Sequence, residues 1–188
     1  MTIDFMTAKS KSLDKLKAYI GNIYELTRGQ FKVRGLHSDN GGEFISMGFK
    51  RYCQRKGIRR TYTAPRAPQQ NGIVERANRT VMDMARCIRL ESGLEKELWA
   101  EACNTAVYVL NRVPSVPLDG DTPYHRLHGE HAKLDHLRTF GCQAYVQTYK
   151  EQRDKLDPKA WRGILVGYDD EHNRRCYRVY DPVKKKIV

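Results

Sequence analysis

Cysteine is scarce in this sequence, and the few thiols are not arranged in pairs. The 188 residues contain five cysteines, and no two of them form a C-x-x-C motif. An odd number of widely spaced cysteines argues against a disulfide framework and against a zinc ribbon. We therefore predict a reducing compartment in which the thiols are buried.

Long apolar runs are also missing. No segment approaches the roughly 20 apolar residues that cross a bilayer as a helix, and the first residues do not resemble a signal peptide. We expect a protein that is not secreted and does not enter a membrane. Hydrophobic residues still make up 40% of the chain, enough for a core. The length suits one domain with an appendage, or two small domains.

Acidic residues are in deficit, and the deficit is local. The chain has 34 Lys and Arg against 22 Asp and Glu, a formal charge of +12. Residues 50–89 alone hold eleven basic and two acidic residues, a net charge of +9. A solvated helix face accounts for part of this excess, but a polyanionic partner accounts better for its concentration. We therefore predict that this segment binds nucleic acid.

Hydrophobic spacing predicts an α/β pattern over residues 1–113. Alternating apolar residues predict strands at residues 3–7, 31–36 and 58–63. Apolar residues three or four apart predict helices that begin near Ser12, Ile45, Ile73 and Leu94. Gly29 and Gly57 suit the ends of the first two helices, because glycine tolerates the left-handed conformation found there.

The pattern changes after two prolines at Pro114 and Pro117. Residues 114–136 resemble a connector, and short β-type segments at 140–149, 163–168 and 176–181 predict a small β-barrel or sheet module. Four histidines lie in the connector at spacings that include three, which helical metal ligands can have. They are His125, His128, His131 and His136. No cysteine or carboxylate set completes a tetrahedral site in the sequence, so we interpret them as solvated loop residues.

The segment LHSDNGGEF, residues 36–44, places a carboxylate at the end of a predicted strand. Asn40, Gly41 and Gly42 follow Asp39, and such residues favour turns because they tolerate φ > 0. Asp39 is therefore either a turn residue or a residue held there for chemistry. Glu43 either supports Asp39 or caps the next helix.

A second carboxylate, Glu75, lies in the first turn of the long helix, after the loop APRAPQQNG at residues 64–72. Strand ends and adjoining helix starts are where ligands gather in α/β folds. Two carboxylates there can hold Mg²⁺, and a two-metal site stabilises the attacking and leaving oxygens of a phosphoryl transfer. Alternatively, Glu75 is a favourable first-turn acid paired with Arg79.

The sequence around both carboxylates resembles the catalytic core of retroviral and retrotransposon integrases, most closely the copia type. Asp39 of HSDNGGEF is followed, after 35 intervening residues, by Glu75 of PQQNGIVERANRT. The resemblance continues through WAEACNTAVYVLNRVPS (residues 99–115), LRTFGCQAYV (137–146) and KLDPKAWRGILVGYDDEHNRRCYRVYDP (155–182). Several motifs in the right order cover nearly the whole chain, so the resemblance is specific.

The resemblance implies an α/β fold, a ribonuclease-H-like integrase core followed by helices and a small β-barrel-like module. Residues 1–113 correspond to the catalytic core without its first strands, 114–136 to a connector, and 137–188 to an incomplete module. Asp39 and Glu75 correspond to the second and third members of an Asp-Asp-Glu triad that binds Mg²⁺ or Mn²⁺.

The sequence departs from the family at the first aspartate of this triad. Alignment of KSKSLDKLK, residues 9–17, with the family's first helix places that aspartate before Met1. Asp4 is the nearest candidate, but it falls on a strand that the family does not use for metal binding. We therefore expect a piece of a longer retrotransposon polyprotein, or the product of a decayed element, that is inactive as this fragment.

The implied reaction is DNA integration by a polynucleotidyl transferase, with 3′-end processing followed by strand transfer. The expected partners are element ends and target DNA, bound by a homo-oligomer of the full-length protein. The expected location is the nucleus, or a cytoplasmic particle before nuclear entry. Eight residues are predicted to contact DNA: Arg51, Arg55, Lys56, Arg59, Gln70, Asn71, Arg76 and Arg79. Alternatives are a catalytically dead or domesticated nucleic-acid-binding scaffold and a ribonuclease-H-type nuclease.

Overall fold

The computed structural model describes residues 1–64, 71–169 and 176–188. The chain forms two compact units, residues 4–79 and residues 80–188 with residues 1–3. Within the described ranges, no helix is both long and apolar enough to span a bilayer. These compact units do not test the predicted domain boundaries. The division into residues 1–113, 114–136 and 137–188 stays a prediction.

A two-stranded parallel sheet and three helices make up most of the first unit, which also contains the start of a fourth helix. The elements are α1 (Ser12–Leu26), β1 (Gly35–Ser38), α2 (Gly42–Ile45), α3 (Met47–Lys56), β2 (Arg59–Tyr62) and the first residues of α4 (Gly72–Ser92). Strands β1 and β2 pair in parallel, from Gly35 with Arg59 to Ser38 with Tyr62. The carboxyl ends of both strands therefore lie at the same edge.

The core of the first unit forms around α3. Phe49 and Cys53 are 1% and 0% exposed, and Ile58 beside them is also buried. Leu13 and Leu16 of α1 pack against this cluster. Burial of one such side chain contributes about 1.5–3 kcal/mol, so the apolar faces of α1 and α3 hold β1 and β2 in place.

Left-handed residues end two helices of this unit, and at the end of α3 that residue is the glycine which the sequence predicts. Gly57 follows α3 with φ 67°, and the next amide, that of Ile58, donates to the carbonyl of Cys53 at 2.9 Å. After α1 the first left-handed residue is Arg28, with φ 49°; Gly29 follows it with φ 76°, and its amide donates to the Tyr24 carbonyl at 2.7 Å. Left-handed glycine satisfies terminal carbonyls without a steric penalty.

Two predicted strands differ from the structure. The strand at residues 3–7 is wrong, because residues 1–6 have no regular structure and the Asp4 carboxylate is paired with Lys15 of α1 at 3.0 Å. The strand at residues 31–36 is displaced, because pairing starts only at Gly35, opposite the first residue of β2. Phe31, at the predicted start, is 64% exposed.

An antiparallel sheet and helices form the second unit. After the end of α4 its elements are α5 (Trp99–Leu110), α6 (Pro123–His128), β3 (Gln143–Gln147), β4 (Ala160–Asp169), β5 (Cys176–Asp181) and β6 (Lys186–Ile187). The strands follow one another in chain order. This arrangement confirms the three predicted β segments and adds β6.

Helix α5 is held against the sheet by two polar contacts. The Thr105 hydroxyl donates to the carbonyl of the fully buried Val166 at 3.2 Å. The Arg178 guanidinium donates to both carboxylate oxygens of Glu101, at 2.7 and 2.8 Å. Close packing continues within the sheet, where a Cβ on Gly163 would stand 2.4 Å from Val179.

Candidate functional site

Asp39 immediately follows β1, in a loop that is tied to the end of β2. The Asn40 side-chain amide donates to the carbonyl of Thr63 at 2.9 Å, and the Thr63 amide donates to the carbonyl of Ser38 at 3.0 Å. The exposed Asp39 carboxylate accepts from the Gly41 amide through Oδ1 at 3.0 Å. Asp39 is thus a turn residue by its own hydrogen bond, and it is also fixed at a strand end, where ligands gather.

The glycines after Asp39 do not serve the purpose that the sequence suggested. Gly41 has φ −56° and ψ 139°, and neither Gly41 nor Gly42 has a positive φ. The turn argument from φ > 0 is therefore wrong here. Space is the reason at Gly41, because a Cβ there would stand 2.8 Å from Glu43 Oε2 and 3.0 Å from Asp39 Oδ1.

Glu43 directs its carboxylate toward the same point as Asp39. It lies in the first turn of α2, where its charge is favourable, and its side chain is only 16% exposed. Lys9 Nζ approaches Glu43 Oε1 at 3.7 Å. The structure thus gathers two acidic groups at this loop. From the sequence, Glu43 is expected only to support Asp39 or to cap the next helix.

Glu75 is exposed in the first turn of α4, within the same compact unit as Asp39. In the described part of the chain no ion pair joins Glu75 to Arg79, so the alternative of a helical Glu-Arg pair lacks support. The assignment of Asp39 and Glu75 to one catalytic metal site stays a prediction.

The predicted DNA contacts are mostly exposed cations. Six basic side chains are exposed, three on α3, one at the start of β2 and two near the start of α4: Arg51, Arg55, Lys56, Arg59, Arg76 and Arg79. Asn71 is half-buried just before α4, and Gln70 lies outside the described residues. Two of the cations, Arg55 and Lys56, are in the last turn of α3, where they also favour the helix dipole. DNA contact by these residues stays a prediction.

One group of side chains in the second unit was missed from the sequence. Asp121, His125 and His131 each place a ligand atom within 4.8 Å of the others. The sequence signal for this group is the aspartate four residues before His125. His136 is separate from them and lies against Tyr108, whose hydroxyl is 2.7 Å from His136 Nε2.

Comparison with known proteins places the chain among transposon polyproteins. It is 45% identical over 157 residues to the retrovirus-related Pol polyprotein from transposon TNT 1-94 of Nicotiana tabacum, covering 84% of the chain and 12% of that protein. It is 32% identical over 141 residues to the corresponding polyprotein from transposon RE2 of Arabidopsis thaliana, covering 75% of the chain and 10% of that protein. The chain thus spans about a tenth of these curated relatives.

The family model of the retroviral polymerase SH3-like domain matches residues 142–188. Among solved structures, the simian T-cell lymphotropic virus intasome in complex with PP2A regulatory subunit B56 gamma is similar, with a TM-score of 0.53 and 18% identity. The similarity covers 90% of this chain and 62% of that chain. The predicted fold class, an integrase-like core followed by a small β module, is confirmed.

Proposed function

Because the chain belongs to the retrovirus-related Pol polyproteins of copia-type transposons, we propose that it is part of the integrase that inserts element DNA into target DNA. The observation that carries this proposal is Asp39 at the carboxyl end of β1, in a loop bonded to the end of β2 and with Glu43 beside it. The proposed reaction is hydrolysis at a DNA 3′ end, followed by attack of that 3′-OH on target DNA in the nucleus. The full-length enzyme is proposed to act as a homo-oligomer on the element ends.

The donor set suits Mg²⁺ or Mn²⁺. These ions prefer carboxylate oxygens and retain several waters, which fits the exposed Asp39 and Glu75. When bound, such an ion neutralises charge that develops on the phosphoryl oxygens. In this proposal Asp39 and Glu75 hold the ion, and the asparagine bond to Thr63 keeps Asp39 at the strand edge.

Binding of the metal can be tested without catalysis. Mg²⁺ should raise the unfolding free energy of the chain by about 0.4 kcal/mol when its concentration equals Kd. The double variant Asp39→Asn with Glu75→Gln should lose this gain. A charge-matched control is Asp14→Asn with Asp83→Asn, which removes two exposed acids paired to Lys17 and Arg86. Equal metal responses in both double variants would contradict the shared site.

Catalysis is tested by strand transfer with pre-processed DNA ends and Mn²⁺. The resemblance assigns one triad aspartate to a position outside these 188 residues, so we propose that this polypeptide alone does not join ends. A version extended upstream by the first strands of a copia-type core should join them, and Asp39→Asn should abolish joining. Joining by the 188 residues that is lost on Asp4→Asn would instead make Asp4 the third ligand. Failure of both polypeptides would favour the non-catalytic scaffold.

A further inference from the structure

Three metal-ligating side chains converge in the segment around α6, in a place that the proposed integrase chemistry does not use. One ligand atom each from Asp121, His125 and His131 lies within 4.8 Å of the other two. We propose that these three side chains bind one divalent transition-metal ion, with Zn²⁺ as the favoured ion.

The donor types select the class of metal. Two imidazoles and one carboxylate suit zinc and its neighbours in the first transition row, whereas Mg²⁺ prefers an all-oxygen set. Three protein ligands leave the fourth position of a tetrahedral zinc ion to water. The site is therefore distinct in its chemistry from the carboxylates at Asp39 and Glu75.

Two of the ligands already have the required spacing. His125 Nδ1 lies 2.9 Å from Asp121 Oδ1 and 3.0 Å from Oδ2. Two ligand atoms on a tetrahedral zinc ion, each about 2.0–2.1 Å from the metal, are about 3.3 Å apart. A zinc ion could thus replace the proton between His125 and Asp121 once the two ligand atoms part by a few tenths of an ångström and both side chains tilt until their lone pairs meet at the metal.

The backbone fixes this pair in position. The Asp121 carbonyl accepts from the Ser115 amide at 2.9 Å, and Asp121 Oδ1 accepts from the Thr122 amide at 2.7 Å. Thr122 then caps α6, since its hydroxyl oxygen accepts from the His125 amide at 3.1 Å. Both ligands are therefore preorganised, which lowers the entropy lost on binding.

The third ligand is brought back by the turn that ends α6. Gly129 adopts φ 72°, and its amide donates to the His125 carbonyl at 2.8 Å. Beyond it the chain returns and stacks the His131 ring on His125, with centroids 4.0 Å apart and planes at 14°. Ligation requires the His131 ring to turn, because stacked rings hold their lone pairs in parallel planes. His131 is exposed, so this rotation disturbs no core contact.

Arg126 is the competitor for the carboxylate. Its Nε lies 2.9 Å from Asp121 Oδ2, but the Arg126 side chain is 58% exposed. Such exposed ion pairs are weak, because water screens both charges. Removal of this cation should therefore strengthen metal binding.

The experiment is titration calorimetry with ZnCl₂ on the 188-residue chain, made without a histidine tag. Every sample carries Cys87→Ser and Cys176→Ser, because both thiols are exposed and bind zinc themselves. We expect one ion per chain, at least tenfold weaker binding in His131→Gln, and a severalfold gain in Arg126→Gln. The matched control His128→Gln, on the same helix as His125, should bind as the parent does.

Folding is checked by thermal unfolding in the absence of zinc, where the exposed His131→Gln change should leave the midpoint unaltered. Absence of saturable binding at one equivalent would overturn the proposal. So would equal affinity in the parent and His131→Gln, or an equal loss in His128→Gln.

Discussion

Asp39 and Glu43 direct carboxylate oxygens to one point beside Gly41. A Cβ on Gly41 would stand 3.0 Å from Asp39 Oδ1 and 2.8 Å from Glu43 Oε2. The backbone of Gly41 is ordinary for any residue, with φ −56°. The role of this glycine is therefore to leave room for two acids.

Gly41→Ala should consequently change metal binding more than stability. The added methyl group must push the two carboxylates aside, and the end of Glu43 can move at little cost. We expect a loss of stability below about 1 kcal/mol, and a loss of most of the Mg²⁺-induced rise in melting temperature. The control is Gly42→Ala, where a Cβ meets nothing within 4 Å. An undiminished metal response in Gly41→Ala would count against a metal at Asp39.

Residue type alone can predict where a helix ends. The start of a strand depends instead on pairing with a distant segment, which the sequence does not show. Gly57 ends α3 through its own conformation, so its residue type is sufficient evidence. The start of β1 depends on its partner, because Gly35 pairs with Arg59, 24 residues away. Its bounds were therefore misplaced.

The same contrast applies to the sites. Asp39 and Glu75 can be identified from the sequence because each lies in a family motif. The nearness of Glu43 to Asp39 cannot, because it depends on the absence of a Cβ at Gly41. The His131 ring reaches His125 only because Gly129 reverses the chain. Spacing along the sequence does not show that the chain folds back at Gly129. From the sequence alone, the histidines of the connector are therefore interpreted as solvated loop residues.

The pair between Glu101 and Arg178 should be among the most sensitive polar contacts of the second unit. The Glu101 side chain is 10% exposed and receives two hydrogen bonds, at 2.7 and 2.8 Å. Glu101→Gln should cost about 1–3 kcal/mol, because it replaces two charge-assisted hydrogen bonds at a nearly buried carboxylate by weaker contacts to a neutral amide.

Urea unfolding of both single variants and the double variant with Arg178→Gln measures the coupling directly. The surface pair of Asp14 and Lys17, at 2.8 Å but with side chains 74% and 45% exposed, is the control. Asp14→Asn should cost less than about 0.5 kcal/mol. Similar losses for Glu101→Gln and Asp14→Asn would contradict the structural role.

Thiol reactivity should divide four of the five cysteines into two classes, with Cys142 of intermediate exposure between them. Cys53 and Cys103 are 0% and 1% exposed, and burial raises the pKa of both thiols. Since the thiolate is the reactive form, these two should react only when the chain unfolds. The predicted burial of the thiols is wrong for Cys87 and Cys176, which are exposed and should react at once. Maleimide labelling followed by peptide mass spectrometry, in buffer and in urea, separates the classes. Fast labelling of Cys53 in buffer would be inconsistent with its place in the core.

DNA binding should be independent of sequence and steeply dependent on salt. Each phosphate contact releases counterions, which contributes about −0.9 to the slope of log K against log salt on duplex DNA. We predict that the exposed cations of α3 provide such contacts. The triple variant Arg51→Gln, Arg55→Gln, Lys56→Gln should therefore bind more weakly, with a slope shallower by up to about 2.7.

A control of equal charge change distinguishes a local footprint from net charge. Lys184, Lys185 and Lys186 are exposed in the second unit, and their triple glutamine variant lowers the net charge by the same three units. If α3 contacts phosphate, the α3 variant loses slope while the lysine variant keeps most of it, in fluorescence anisotropy with duplexes of two unrelated sequences. Equal losses in both variants would mean that binding follows net charge alone, and a slope near zero in the parent chain would exclude phosphate contacts by α3.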